Sequence, residues 1–100
     1  MADITVQELK RKMDDGDKFV FVDVREPHEF EEFNLGAKLI PLNTVPLKME
    51  EISDDKDAEI VVHCRSGKRS AMAQKFMQQA GYSNVRNLMG GVLAWRDLYE

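Results

Sequence analysis

The sequence predicts an α/β fold with a mostly parallel central sheet of about four to five strands and helices on both faces. Short apolar segments rich in β-branched residues alternate with helical patterns, and the connections between them are short. The segments at 19–24 and 59–63 are almost continuously apolar, which is typical of strands buried on both faces. A chain of 100 residues has room for one hydrophobic core, so we expect a single domain over residues 1–100.

The first two elements are a helix and a strand. Thr5 to Glu8 has the pattern of a capping box, and the helix that it opens continues to Met13 before a polar turn. Phe19 to Val24 is the first strand. Its one polar residue, Asp23, stands among apolar neighbours, where an isolated charge is costly, so we expect it to be paired. Arg25 is a reasonable partner.

A second helix and a short strand follow. Pro27 suits the first position of a helix, and the glutamates at 29, 31 and 32 suit the positive end of the helix dipole. Leu39 and Ile40 then form a short strand, which Pro41 closes because proline cannot donate to a strand ladder.

The second half repeats this alternation. Asn43 or Thr44 caps a helix that extends to Ile52, and a polar turn leads to the central strand, Glu59 to His63. After a loop, one helical face carries Ala73, Phe76, Met77 and Ala80. Gly81 ends that helix. A strand at Asn84 to Met89 and a helix at Val92 to Tyr99 complete the predicted fold.

The only cysteine, Cys64, lies where the central strand gives way to a loop and a helix. Ligands of parallel sheets bind beyond the carboxyl ends of the strands, so we expect the functional site there, beside Asp23 and Arg25. Loop N–H groups, a helix N-terminus and three nearby cations all stabilise a thiolate. A neutral buried thiol that only fills space would gain nothing from these cations. The loop residues are Arg65, Ser66, Gly67, Lys68, Arg69 and Ser70.

Several further motifs stand in a fixed order along nearly the whole chain. They are Asp23-Val24-Arg25, Glu29-Phe30, Gly36-Ala37 before Ile40-Pro41, the Cys64 loop, and Gly90-Gly91 followed by Trp95. In this order the chain resembles the rhodanese, or thiosulfate sulfurtransferase, superfamily in its small single-domain form. Many relatives have a Gly-His-Ile segment before the Gly-Ala pair, where this chain has Phe33-Asn34-Leu35.

The resemblance implies a rhodanese-like fold and a sulfurtransferase that needs no metal or organic cofactor. Cys64 would take a sulfane sulfur from thiosulfate or a related donor, and cyanide, a thiol or a protein thiol would remove it from the resulting persulfide. Arg65, Lys68 and Arg69 would attract the anionic donor, and backbone N–H groups between Arg65 and Ser70 would stabilise the charge on sulfur. Asp23 and Arg25 would support the neighbouring loops.

Two other functions remain open. A His-Cys pair followed by a glycine-containing loop and an arginine also occurs in cysteine phosphatases, but their loop is one residue longer. Only four residues separate Cys64 from Arg69. The shorter loop should fit a single sulfur atom better than a tetrahedral phosphate. The other possibility is a non-catalytic, regulatory module of the same family that binds a partner, although such modules typically lack the cysteine.

The histidines predict no further chemistry. Side chains alternate along a strand, so the imidazole of His63 should point away from the Cys64 thiol and have a structural role. His28 lies at a polar helix start, where we expect it to be solvated. Two distant histidines and one cysteine are too few ligands for a zinc site.

Composition argues against several classes of partner. The net charge of −4 disfavours general binding to nucleic acid or anionic membranes, so the basic cluster at Cys64 fits a small anionic ligand. One cysteine excludes an internal disulfide, no apolar run reaches membrane length, and the first residues lack the pattern of a signal peptide. We therefore expect a cytoplasmic protein.

Overall fold

The computed structural model describes residues 3–100 and contains one four-stranded sheet. The strands are β1 (Val20–Asp23), β2 (Lys38–Leu39), β3 (Ile60–His63) and β4 (Val85–Asn87). The α-helices are α1 (Val6–Asp14), α2 (Pro27–Glu32), α3 (Met49–Ile52), α4 (Lys68–Gln79) and α5 (Gly91–Tyr99), and a 3₁₀ helix spans Leu42–Leu47. The order is β2-β1-β3-β4 with every pair parallel, which confirms the predicted α/β fold.

Each face of the sheet packs against an apolar core. Because side chains alternate along a strand, the central strand contributes to both cores. Val62 of β3 contributes to the core on one face, where Met77 of α4 is fully buried. Val61, its neighbour, contributes to the core on the other face with Leu9 of α1, and Trp95 of α5 packs against that core. The central strand is therefore apolar at both kinds of position, as its sequence predicted.

The segment before α3 differs from the prediction. One helix from Asn43 or Thr44 to Ile52 was expected, but the chain forms the 3₁₀ helix and then, after a break at Lys48, the short helix α3. Pro46 lies inside the 3₁₀ helix and has no N–H to donate, and it also disfavours α-helical geometry at the residue before it. The proline therefore explains why a continuous α-helix does not form.

Smaller differences concern the ends of elements. Thr5 caps α1 as predicted, since its side chain accepts the Glu8 N–H at 3.1 Å, while the Glu8 carboxylate binds Arg86 at 2.8 Å. β4 is shorter than the predicted strand, and beyond its end Leu88 forms an isolated parallel bridge with Ile4. The bridge brings the N-terminal segment alongside the last strand.

The carboxyl ends of β1 and β3 lie next to each other at one edge of the sheet. Asp23 pairs in register with His63, so the residues that follow them, Val24 and Cys64, leave the sheet side by side. The Val24 N–H donates to the His63 carbonyl at 3.0 Å, which keeps the two chains together at this edge. The predicted positions of Cys64 and of the Asp23 segment are thus brought together.

Candidate active site

Cys64 lies at the bottom of a tight turn between β3 and α4, and its side chain is almost completely buried. Gly67 caps the helix with φ at +104°, a left-handed conformation that favours glycine. This turn bends the chain back over the sulfur, so that the first residues of α4 face it. The sequence prediction of a loop and a helix N-terminus around the thiol is confirmed.

Three hydrogen bonds converge on the sulfur of Cys64. The Gly67 N–H donates to Sγ at 3.1 Å, and the N–H and the hydroxyl of Ser70 each approach Sγ at 3.4 Å. Burial favours the neutral thiol, but these hydrogen bonds from the hydroxyl and N–H of Ser70 and from the N–H of Gly67 outweigh it, with a smaller electrostatic contribution from the nearby N–H of Ser66. The pKa of the Cys64 thiol therefore lies below its usual value, and the loop favours a thiolate.

This arrangement predicts the pH dependence of alkylation. The rate of reaction with iodoacetamide follows the thiolate fraction, so its midpoint in the native protein is expected below the value of about 8.5 for an unperturbed cysteine. The same chain in concentrated urea is the matched control, because it keeps the cysteine and loses the loop. A native midpoint equal to or above that of the unfolded chain would contradict the assignment of an activating loop.

The three cations of the loop have different surroundings. The Arg69 guanidinium forms two parallel hydrogen bonds with the Glu29 carboxylate of α2, at 2.7 and 2.9 Å, and these bonds lower the pKa of Glu29 to about 2. Arg65 and Lys68 are exposed, and within residues 3–100 their side chains form no ion pair. Arg69 thus joins the loop to α2, whereas Arg65 and Lys68 extend into solvent.

Asp23 and Arg25 form the buried pair that the sequence predicted. Nε and one terminal nitrogen of Arg25 donate to the two carboxylate oxygens of Asp23 at 3.0 and 2.8 Å, and the Arg25 N–H donates to the same carboxylate at 2.9 Å. The guanidinium also donates to the Phe33 carbonyl at 2.6 Å. The pair therefore fixes the segment after β1 and the end of α2 relative to each other.

His63 points away from the thiol, as alternation along the strand predicted. Its ring packs beside Phe21, with Nδ1 3.4 Å from the Cys64 carbonyl oxygen and Nε2 3.6 Å from a carboxylate oxygen of Asp23. Burial, opposed by the Asp23 charge, lowers the pKa of His63, so the imidazole is neutral. His28 is exposed. Within residues 3–100 no group of three His, Cys, Asp or Glu side chains is placed to hold a metal ion.

The start of α5 binds the backbone of the loop from the other side. The N–H groups of Val92 and Leu93 donate to the carbonyls of Cys64 and Arg65, both at 3.0 Å. Gly91 makes this approach possible, because a Cβ atom at this position would lie 2.5 Å from the Cys64 carbonyl oxygen. The second glycine of the pair before Trp95 is therefore required for close contact between α5 and the loop.

One polar residue at this site was not predicted from the sequence. The side chain of Asn87, at the end of β4, donates to the Gly67 carbonyl at 3.1 Å and accepts a hydrogen bond from the Ser70 hydroxyl. Its position at the carboxyl end of a strand could have indicated a residue of the functional site, because ligands bind at that edge of a parallel sheet. The sequence pattern did not show which residues of the Cys64 loop Asn87 would meet, because that depends on the register between β3 and β4.

Comparison with known proteins agrees with this geometry. Residues 5–98 match the family model described as a rhodanese-like domain. A sulfurtransferase of Allochromatium vinosum is 36% identical over 94 residues, which cover 93% of this chain and 86% of that protein. The putative sulfurtransferase YtwF of Bacillus subtilis is 36% identical over 96 residues, which cover 95% of this chain and 90% of that protein.

Solved structures show the same likeness. The crystal structure of a rhodanese-like domain protein from Staphylococcus aureus superposes with a TM-score of 0.84 at 32% sequence identity, covering 95% of this chain and 91% of that one.

Among residues 3–100, no helix combines the length and the apolar character needed to span a bilayer.

Proposed function

The chain belongs to the rhodanese-like sulfurtransferase family, and from that premise we propose that it transfers a sulfane sulfur through a persulfide on Cys64. The observation that supports this most directly is the buried Sγ that accepts hydrogen bonds from Gly67 and Ser70. Such a loop stabilises a negative charge on sulfur before and after the transfer. The Cys64 loop is therefore proposed as the site of both half-reactions.

In the first half-reaction the Cys64 thiolate attacks the outer sulfur of thiosulfate. A bond forms between Sγ and that sulfur, the bond between the two thiosulfate sulfurs breaks, and its electron pair leaves with sulfite. The persulfide carries one negative charge, as the thiolate did, so the loop stabilises the same charge one atom further out. No proton, oxidant or metal ion takes part in this balance.

In the second half-reaction a thiophilic acceptor attacks the outer sulfur of the persulfide. With cyanide the products are thiocyanate and the Cys64 thiolate, and with a thiolate they are a new persulfide and the Cys64 thiolate. The free enzyme is regenerated, which is the basis of ping-pong kinetics. We propose a thiol or a protein thiol as the acceptor and the cytoplasm as the compartment, because a free reactive thiol is compatible with reducing conditions.

The Arg69 contact argues against the phosphatase alternative. In phosphate-ester chemistry the arginine of such a loop holds the phosphate with both arms, whereas both arms of Arg69 are bound to Glu29. The lowered pKa of Cys64 argues against a purely regulatory module, since an activated thiol has no function there. We therefore retain sulfur transfer as the proposed activity of residues 1–100, acting as one domain.

The decisive experiment is the intact mass of the protein after incubation with thiosulfate. We expect the mass of one added sulfur atom, its removal by cyanide or by a thiol reductant, and the appearance of thiocyanate in the cyanide reaction. A phosphate ester is tested in parallel. Phosphate release without a sulfur adduct would favour the phosphatase alternative, and neither product would favour the regulatory module.

The exposed cations predict how the donor binds. Thiosulfate carries two negative charges, so Arg65→Ala and Lys68→Ala are expected to raise its KM by roughly three- to tenfold at low ionic strength, and less at high salt where charges are screened. Lys75→Ala is the matched control, because this exposed lysine lies on the same helix about 10 Å further along its axis. Steady-state kinetics at two salt concentrations measure the effect.

Arg69→Ala provides a contrast in the same assay. Because Arg69 joins the loop to Glu29, its removal is expected to lower kcat and the unfolding temperature together. An unchanged thiosulfate KM in both the Arg65 and Lys68 variants would show that backbone N–H groups alone bind the donor.

A further inference from the structure

Asn87 contacts both residues whose hydrogen bonds reach the Cys64 sulfur. Its Nδ2 donates to the carbonyl of Gly67 at 3.1 Å, and its Oδ1 accepts the hydroxyl of Ser70. Gly67 and Ser70 in turn make the three hydrogen bonds to Sγ. Asn87 itself does not bind the sulfur, so any effect that it has on the thiol passes through these two residues.

The sheet places Asn87 for this role. Its register partner is Val62, two residues before Cys64 on β3, so Asn87 lies beside the end of the strand that carries the cysteine. The residue is 8% exposed. Its own N–H donates to the Asp3 carboxylate at 3.2 Å and its carbonyl accepts the Ile4 N–H at 3.0 Å, so the backbone at Asn87 is held independently of the loop.

The two contacts also define the orientation of the amide. If the amide were rotated by half a turn, its oxygen would face the Gly67 carbonyl oxygen and its NH₂ group would face the Ser70 hydroxyl. Two acceptors would then oppose each other in a buried place, which is unfavourable. Asn87 is therefore suited to this site by having one donor and one acceptor on a short side chain, and an apolar residue of the same size could not replace either.

The Ser70 hydroxyl has one proton and two acceptors within reach, Asn87 Oδ1 and Cys64 Sγ. The bond to Asn87 keeps the Ser70 oxygen beside the sulfur. The N–H groups of Gly67 and Ser70 donate to Sγ whichever acceptor receives the hydroxyl proton, and the short contact with Asn87 fixes the Ser70 backbone and side chain in the position from which they reach the sulfur. Without Asn87 the Ser70 side chain is free to adopt other rotamers, and the Gly67 peptide loses one of its two carbonyl contacts.

We propose that Asn87 is a positioning residue, which holds Gly67 and Ser70 in the geometry that binds the Cys64 sulfur. The inference rests on the proposed function, since it concerns the loop that would receive the transferred sulfur. The neutral His63 lies on the other face of β3. The charged groups at this edge of the sheet are the three loop cations, the Glu29 carboxylate that binds Arg69, and the Asp23–Arg25 ion pair at the end of β1. A substitution of Asn87 changes none of these.

The test is the pH profile of Cys64 alkylation in Asn87→Ala, measured beside the wild type. We expect a higher midpoint, because the thiolate loses well-placed donors while the neutral thiol does not depend on them. We also expect kcat to fall by roughly tenfold with the thiosulfate KM within about twofold of wild type, since a displaced donor affects the reacting atom and not the encounter with the anion. Asn84→Ala, just before β4 at the opposite end of the strand, is the matched control and should leave both quantities unchanged.

A double-mutant cycle between Asn87 and Ser70 distinguishes a positioning role of Asn87 from a general effect on the structure. In a Ser70→Ala background, Asn87→Ala is expected to raise the midpoint by less than it does alone, because one of its two routes to the sulfur is already removed. If Asn87→Ala does not fold, Asn87→Leu, whose side chain has the same branching and the same number of heavy atoms, is used in its place. An unchanged or lower midpoint in a folded variant, or fully additive effects with Ser70→Ala, would overturn the proposal.

The result is distinguishable from a failure of the proposed function. Alkylation reports on the thiol whether or not the protein transfers sulfur. A wild type that forms a persulfide while Asn87→Ala keeps the wild-type pH profile refutes only the role of Asn87. A wild type that forms no persulfide while Asn87→Ala raises the alkylation midpoint refutes only sulfur transfer.

Discussion

Cys64→Ser is expected to form no sulfur adduct with thiosulfate and to lose thiosulfate:cyanide activity by roughly 10³-fold or more. A serine hydroxyl is not ionised near neutral pH and cannot form a persulfide, and the chain has no second cysteine to replace it. Intact mass spectrometry after thiosulfate treatment and the rate of thiocyanate formation measure the two effects.

The control for this variant is its fold. Oxygen is smaller than sulfur and can accept the same hydrogen bonds from Gly67 and Ser70, so the thermal unfolding temperature should stay close to that of the wild type. Cys64→Ala is a second inactive variant that removes the acceptor altogether. Normal turnover in the folded serine variant would show that Cys64 is not the nucleophile.

Asp23→Asn is expected to cause the largest loss of stability, about 3–5 kcal/mol in the free energy of unfolding. The Asp23 carboxylate is completely buried and balances the buried guanidinium of Arg25. The amide leaves that positive charge without a counter-charge, away from water. Urea unfolding monitored by circular dichroism gives the change.

Asp14→Asn is the matched control for this experiment. Asp14 is paired with Lys10 on the exposed side of α1, and loss of such a pair costs about 0–1 kcal/mol. A further variant, Asp23→Asn with Arg25→Met, removes both charges and should be less destabilised than the sum of the two single variants. Equal, small losses in Asp23→Asn and Asp14→Asn would contradict the view that the buried pair holds this edge of the sheet together.

The features predicted correctly from the sequence depend on residues close together in the chain. The central strand was recognisable because both of its faces are apolar, and the direction of His63 followed from alternation alone. Asp23 and Arg25 are two residues apart, and a buried charge needs a partner, so their pairing could be predicted without knowing the rest of the fold.

The features that were missed depend on pairs distant in sequence. Arg69 looked like one of three equivalent cations, and its position 40 residues from Glu29 gave no sign that the two form an ion pair. Asn87 reaches Gly67 and Ser70 only through the register of β4 against β3. The helix expected up to Ile52 is interrupted for a local reason, since Pro46 lies within the segment and has no N–H to donate.

The contact between α5 and the Cys64 loop has a consequence for biosynthesis. The carbonyls of Cys64 and Arg65 are bound by N–H groups of Val92 and Leu93, which are translated after the whole of α4 and β4. In a nascent chain the Cys64 loop is therefore made before the residues that bind its backbone carbonyls. During that interval the backbone of the loop lacks the two hydrogen bonds that α5 supplies, so the surroundings of the Cys64 thiol are incomplete until α5 has folded against them.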